Sequence, residues 1–112
     1  MAEYYHITNS KNLSNILTEG LIPNKGYGMS RRLIKHNKNF ITDNIAYIIH
    51  KQIGFKRFIT KDYVVLNIEP YGLNIKEHTY WDHINHKHEV AKHEFVCFDV
   101  ILPNKISVMQ NN

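Results

Sequence analysis

The sequence predicts one small α+β domain, on three observations. Two stretches with helical start and stop signals fall in the first half of the chain. The long β-rich runs fall in the second half. The 112 residues leave room for a single hydrophobic core. Helices early and strands late argue against alternating βαβ units and for an α+β domain with two short helices.

The first strand is expected over Glu3 to Ile7, short and rich in aromatic side chains. Asn9 or Ser10 can cap the helix that follows, because either side chain can accept from first-turn amides. Leu13, Ile16 and Leu17 then mark one helical face, and Gly20 supplies a left-handed stop, with Pro23 beyond it. Asn24 to Met29 reads as a loop. Ser30 to Asn39 is strongly basic and holds a helical turn around Leu33 and Ile34.

Phe40 and Ile41 form a very short strand. Thr42 or Asp43 caps a second helix to about Gln52, with Ile45, Ile48 and Ile49 inward and Gly54 closing it. Tyr63 to Ile68, bounded by Lys61-Asp62 and Pro70, is a buried strand, and Leu73 to Ile75 continues it after a Tyr71-Gly72 turn. Lys76 to His93 is polar and histidine-rich, with no clear period. Glu94 to Leu102 reads as the second long strand and Ile106 to Met109 as the last, with a turn at Pro103-Asn104 between them.

A hydrophobic fraction of 43% and a charged fraction of 21% are those of a globular chain and exclude a disordered one. No apolar run approaches the roughly 18 residues of a membrane span, so no membrane partner is expected. The opening Met1 to His6 has no basic leader, and the single cysteine, Cys97, cannot form an internal disulfide. Both point to a cytoplasmic protein. The net charge of +4, with eight histidines in addition, favours anionic partners, although solubility alone is the commoner cause of so small an excess.

The histidines raise the question of a metal. His83, His86, His88 and His93, with Asp82 and Glu89, supply donors, but His88 and His93 are one residue too far apart for two ligands on one helix face. No cysteine accompanies them, so no metal is expected. Walker, nucleophile-elbow and glycine-rich dinucleotide patterns are absent, and Gly26-Tyr27-Gly28 is too slight to count as one.

Three segments carry a resemblance. Tyr5-His6-Ile7-Thr8 leads into the capped helix Asn12 to Glu19 and its Gly20-Leu21-Ile22-Pro23 exit. Phe40-Ile41-Thr42-Asp43 runs into the second helix. His93-Glu94-Phe95-Val96-Cys97 opens a late strand that closes on Leu102-Pro103-Asn104-Lys105-Ile106. In this order they resemble the ADP-ribosyltransferase fold, above all the thymidine-modifying DNA ADP-ribosyltransferase toxins and the RNA 2′-phosphotransferases. The chain departs from the poly(ADP-ribose) polymerase branch at Ile7, where that branch has glycine, and at Phe40, where it has tyrosine.

The resemblance implies a split sheet, antiparallel or mixed, and an NAD-dependent transferase acting on a macromolecule, nucleic acid or protein, of the kind at work between phages and bacterial hosts. It implies that His6, Tyr5, Thr8, Phe40 and Thr42 hold NAD, with His6 on a ribose hydroxyl and Phe40 near the nicotinamide ring. Arg31 and Arg32 suit the pyrophosphate, because guanidinium forks match phosphate oxygens. Tyr80, Trp81 and His83 then line the acceptor side. Glu94 is the expected catalyst together with His6, because breaking the nicotinamide–ribose bond builds positive charge that a fixed carboxylate stabilises; Glu94 can also hold the ribose 2′-hydroxyl or orient the acceptor.

The expectation is a single cleft holding Tyr5, His6, Phe40 and Glu94, and His6 and Glu94 on opposite faces of the sheet would count against the enzyme. On residue type alone, His6 reads as a packed strand histidine and Glu94 as a solvated edge carboxylate, and Arg31 and Arg32 read as a solvated face. Two alternatives stand beside the enzyme: a non-catalytic binding or inhibitor protein of the same fold, and a 2′-phosphate transferase acting on RNA.

Overall fold

A computed structural model of the chain describes residues 3–23, 38–54 and 62–109. The glycine loop and the basic stretch as far as residue 37, and with them Arg31 and Arg32, lie outside the described residues.

Strand β1, Tyr4–Asn9, is followed by one short 3-10 turn and helix α1, Leu13–Glu19. Asn9 caps the 3-10 turn, its side chain accepting from the Lys11 amide at 3.0 Å, while the N-cap of α1 itself is Asn12, which makes no side-chain capping bond. The Gly20 amide, donating to Ile16 at 2.8 Å, closes the helix where the sequence stops it. Strand β2, Asn39–Thr42, runs into helix α2, Ile45–Gly54. The cap of α2 is Asn44, whose Oδ1 accepts from the Tyr47 amide at 2.9 Å, while Thr42 Oγ1 accepts from the Asn44 amide at 3.0 Å. Strand β3, Tyr63–Ile68, falls where expected.

The second half differs from expectation. Lys76 to His93, read as unpatterned, forms most of a long hairpin of β4, Ile75–Asp82, and β5, Lys87–Cys97. Ile75 therefore opens β4 and does not extend β3. The expected strand to Leu102 ends instead at Cys97, and β6 follows over Ile106–Val108. The cause of the early end lies in the partners of the next residues. Asn39 Nδ2 donates to the Asp99 carbonyl at 3.0 Å and the Leu21 carbonyl at 2.9 Å, and Leu21 and Ile101 exchange backbone bonds at 2.9 and 3.0 Å. That pairing turns the chain from β2 toward the end of α1, and Phe98, Val100 and Leu102 are left about half exposed.

The six strands form one sheet in the order β4-β5-β2-β1-β3-β6, every neighbouring pair antiparallel. One face is packed. Ile41, Val64, Leu66, Ile68 and Cys97 meet Ile16 and Leu21 around α1 and Ile101 from the segment after β5. Burying each large aliphatic side chain contributes about 1.5–3 kcal/mol, and Ile16, Leu21, Leu66 and Ile101 show no accessible surface at all.

Cys97 shares this core, also with no accessible surface, and burial raises its thiol pKa above the ordinary value. A maleimide or a disulfide reagent at neutral pH is therefore expected to label Cys97 only at the rate of unfolding. Fast labelling of the native protein, counted by mass, would contradict this burial.

Candidate functional site

Register decides which expected site residues share a face. Tyr5 pairs with Thr42, and Thr42 pairs with Glu94, so one row crosses β1, β2 and β5. Directly paired residues project to the same face, as do residues two apart on one strand, which adds Phe40 to Tyr5, Thr42 and Glu94. His6 follows Tyr5 and projects to the other face, where its partner on β3 is the core residue Leu66. Thr8 joins it there, fully buried beside Val64.

The expected cleft uniting His6 with Glu94 is therefore not formed. His6 is 3% exposed, and its Nδ1–H donates to the Phe40 carbonyl at 2.8 Å. Tyr5↔Thr42 is the only registered pair between β1 and β2 among the described residues, so the His6 ring ties the two strands together next to that pair. This is the packed strand histidine that residue type alone suggests.

The other expected residues are spread along the sheet. Tyr5 donates its hydroxyl to Glu3 at 2.6 Å, a contact that raises the phenol pKa. The Phe40 ring stands edge-on to His78 at 5.2 Å, with the Lys38 ammonium 5.6 Å from its centre. Thr42 is buried, and its hydroxyl donates to the His93 carbonyl at 2.6 Å. Tyr80 and Trp81 are exposed on the distal hairpin and His83 lies in its turn, beyond the segment that carries Glu94.

What surrounds Glu94 is a polar group that the sequence did not announce. Between the pairs Thr79↔Val90 and Glu77↔Phe95, one residue of β4 spans four of β5, Ala91 to Glu94. Within this bulge His93 has a φ of 61°, a left-handed conformation uncommon for a residue with a side chain. Bulges re-aim side chains, and here two consecutive residues meet the same helix. The Glu94 carboxylate binds the Lys51 ammonium at 2.7 Å, and the His93 ring lies edge-on to Tyr47 at 4.9 Å. Tyr47 and Lys51 are four apart on α2 and so lie on one stripe.

His93 Nδ1 also lies 2.7 Å from Asp43 Oδ1, at the mouth of α2. All four of these side chains, Lys51, Glu94, His93 and Asp43, keep a quarter to a third of their surface accessible. The signal that could have found them is weak: an acid before a helix, and an aromatic and a lysine at i and i+4 within it.

Two other features carry no chemistry of this kind. A depression of about 440 Å³ lies toward the β3–β6 edge, lined in part by Glu3, Asn67, Glu69 and Lys105, and none of the expected site residues lines it. No group of three or more metal-binding side chains converges among the described residues. Chelation is accordingly expected to leave the melting temperature unchanged, and a fall that zinc reverses would show a bound metal.

No helix among the described residues is long and apolar enough to cross a membrane. Comparison with known proteins gives no match, whether to family models, curated proteins or solved structures.

Proposed function

We propose that this chain is an ADP-ribosyltransferase-type domain that cleaves NAD and passes ADP-ribose to a macromolecule, with Glu94 as its charge-stabilising carboxylate. His6 is not part of that proposal as a ribose ligand; its place is structural. The observation that carries the reading is the row Tyr5–Thr42–Glu94. It sets the first strand, the second strand and the late glutamate strand side by side, as the resemblance implies, while His6, which the resemblance also places with Glu94, lies on the opposite face and counts for the second reading below.

Two further features support it. The carboxylate is partly accessible and stands at a bulge, where strands turn a side chain toward a site. Lys51 fixes its orientation, and a carboxylate held in place before positive charge develops on the ribose stabilises that charge more than a mobile one does.

A second reading, a binding or inhibitor domain of the same fold without catalysis, is favoured by the same contacts taken the other way. His6 is buried on the face away from Glu94, and the Glu94 charge is already matched by Lys51. NAD separates the two. The transferase is expected to bind NAD and release nicotinamide, alone or when supplied with nucleic acid or cell lysate. Absence of binding at millimolar NAD leaves the binding domain as the reading.

A further inference from the structure

The imidazole beside Glu94 has a chemistry of its own. A carboxylate oxygen can only accept, so His93 Nδ1 carries the proton in its contact with Asp43. In the neutral ring Nε2 then holds a lone pair, and no partner for Nε2 is found among the described residues. A carboxylate on one ring nitrogen and an open lone pair on the other is the arrangement of an oriented general base.

Three features hold the ring in place: Asp43, the edge contact with Tyr47, and the left-handed backbone of the bulge. In an unbroken strand the side chains of His93 and Glu94 would point to opposite faces. The bulge brings both against the Tyr47–Lys51 stripe of α2.

We propose that His93 is the base that deprotonates the acceptor, with Asp43 as its positioning residue, and that the acceptor is therefore a proton-bearing nucleophile: a hydroxyl, an amide or a base N–H, and not a carboxylate or a phosphate. The inference rests on the transferase reading above. In the step, the bond from ribose C1 to the nicotinamide nitrogen breaks and its electron pair leaves with nicotinamide, which departs neutral. Glu94 faces the positive charge left on the ribose. The acceptor lone pair forms the new bond to C1, and the acceptor proton passes to His93 Nε2 and then to water. Atoms and charge balance with NAD and the acceptor alone. An anionic acceptor has no proton to give up, and for it the dyad has no task.

The test pairs two variants with two kinds of acceptor. His93→Gln and Asp43→Asn are assayed with NAD and a panel of proton-bearing acceptors, namely single-stranded DNA, RNA and a mixed protein extract. They are assayed again with azide, a small anion that needs no base. Transfer to the proton-bearing acceptor is expected to fall about a hundredfold or more in His93→Gln and by a smaller factor in Asp43→Asn. With azide both losses are expected to shrink to a few-fold.

Losses equal for both kinds of acceptor would make His93 a structural residue and overturn the inference. So would transfer by His93→Gln within twofold of the unaltered protein. Failure of the unaltered protein to release nicotinamide with any acceptor, azide included, is the separate outcome that removes the transferase reading itself and this base with it. Thermal melts of both variants exclude loss of fold as the cause of any change.

Discussion

Gly20→Ala is expected to cost about 3–5 kcal/mol, enough to remove much of the stability of an ordinary domain. Gly20 has φ 90° and ψ −177°, a region open almost only to glycine, so any side chain there is strained by about 1–3 kcal/mol before it touches anything. An added Cβ would then lie 2.4 Å from the Ile101 carbonyl oxygen and 3.3 Å from Leu102 Cα. Both are backbone atoms, and no rotamer change can clear them.

Relief requires residues 101 and 102 to retreat. That parts the two backbone bonds between Leu21 and Ile101 and uncovers two side chains that are fully buried. Urea titration is the measurement: the midpoint should fall with little change of slope. A loss below about 1 kcal/mol would show that the segment after β5 moves easily, and that Asn39 and Leu21 do not hold it as their bonds suggest.

The same contact shows where the sequence was readable. The stop at Gly20 was visible because a glycine after a helical stripe is a local signal, and β3 was visible because its apolar run is local too. The β4–β5 hairpin was not. Most of its side chains are half-buried or exposed on both faces, and alternation marks a strand only when one face is covered. The run from Phe98 to Leu102 misled for the opposite reason. Its composition suits a strand, but its backbone is claimed by Asn39 and Leu21, far away along the chain.

The candidate site divides in the same way. Glu94 was legible through resemblance to a family pattern. His6 was legible as a position, but alternation sets it behind Tyr5 on the α1 face, away from Glu94. Asp43 and His93, fifty residues apart, and Lys51 and Glu94, forty-three apart, meet only because β5 lies beside β2 and bulges at the entrance to α2. A left-handed histidine has no signature in the sequence, and the bulge that depends on it was hidden for that reason.

Glu94→Gln is the decisive change for function. Glutamine keeps the size of the side chain and can still accept from the Lys51 ammonium, now 2.7 Å from the carboxylate, so the fold should survive. With both partners of that pair partly accessible, the stability lost should be about 1 kcal/mol or less. Nicotinamide release should fall a hundredfold or more, the scale of removing one preorganised electrostatic contact from a developing charge. Affinity for NAD should change far less, because most of that charge exists only in the transition state. Glu94→Asp retains the charge but withdraws it by one methylene and loosens its contact with Lys51, so it should be impaired through geometry. Single-turnover nicotinamide release, read beside NAD binding and a thermal melt, separates these effects. If Glu94→Gln turns over NAD as fast as the unaltered protein, Glu94 stabilises no ribose charge and the row Tyr5–Thr42–Glu94 is architecture alone.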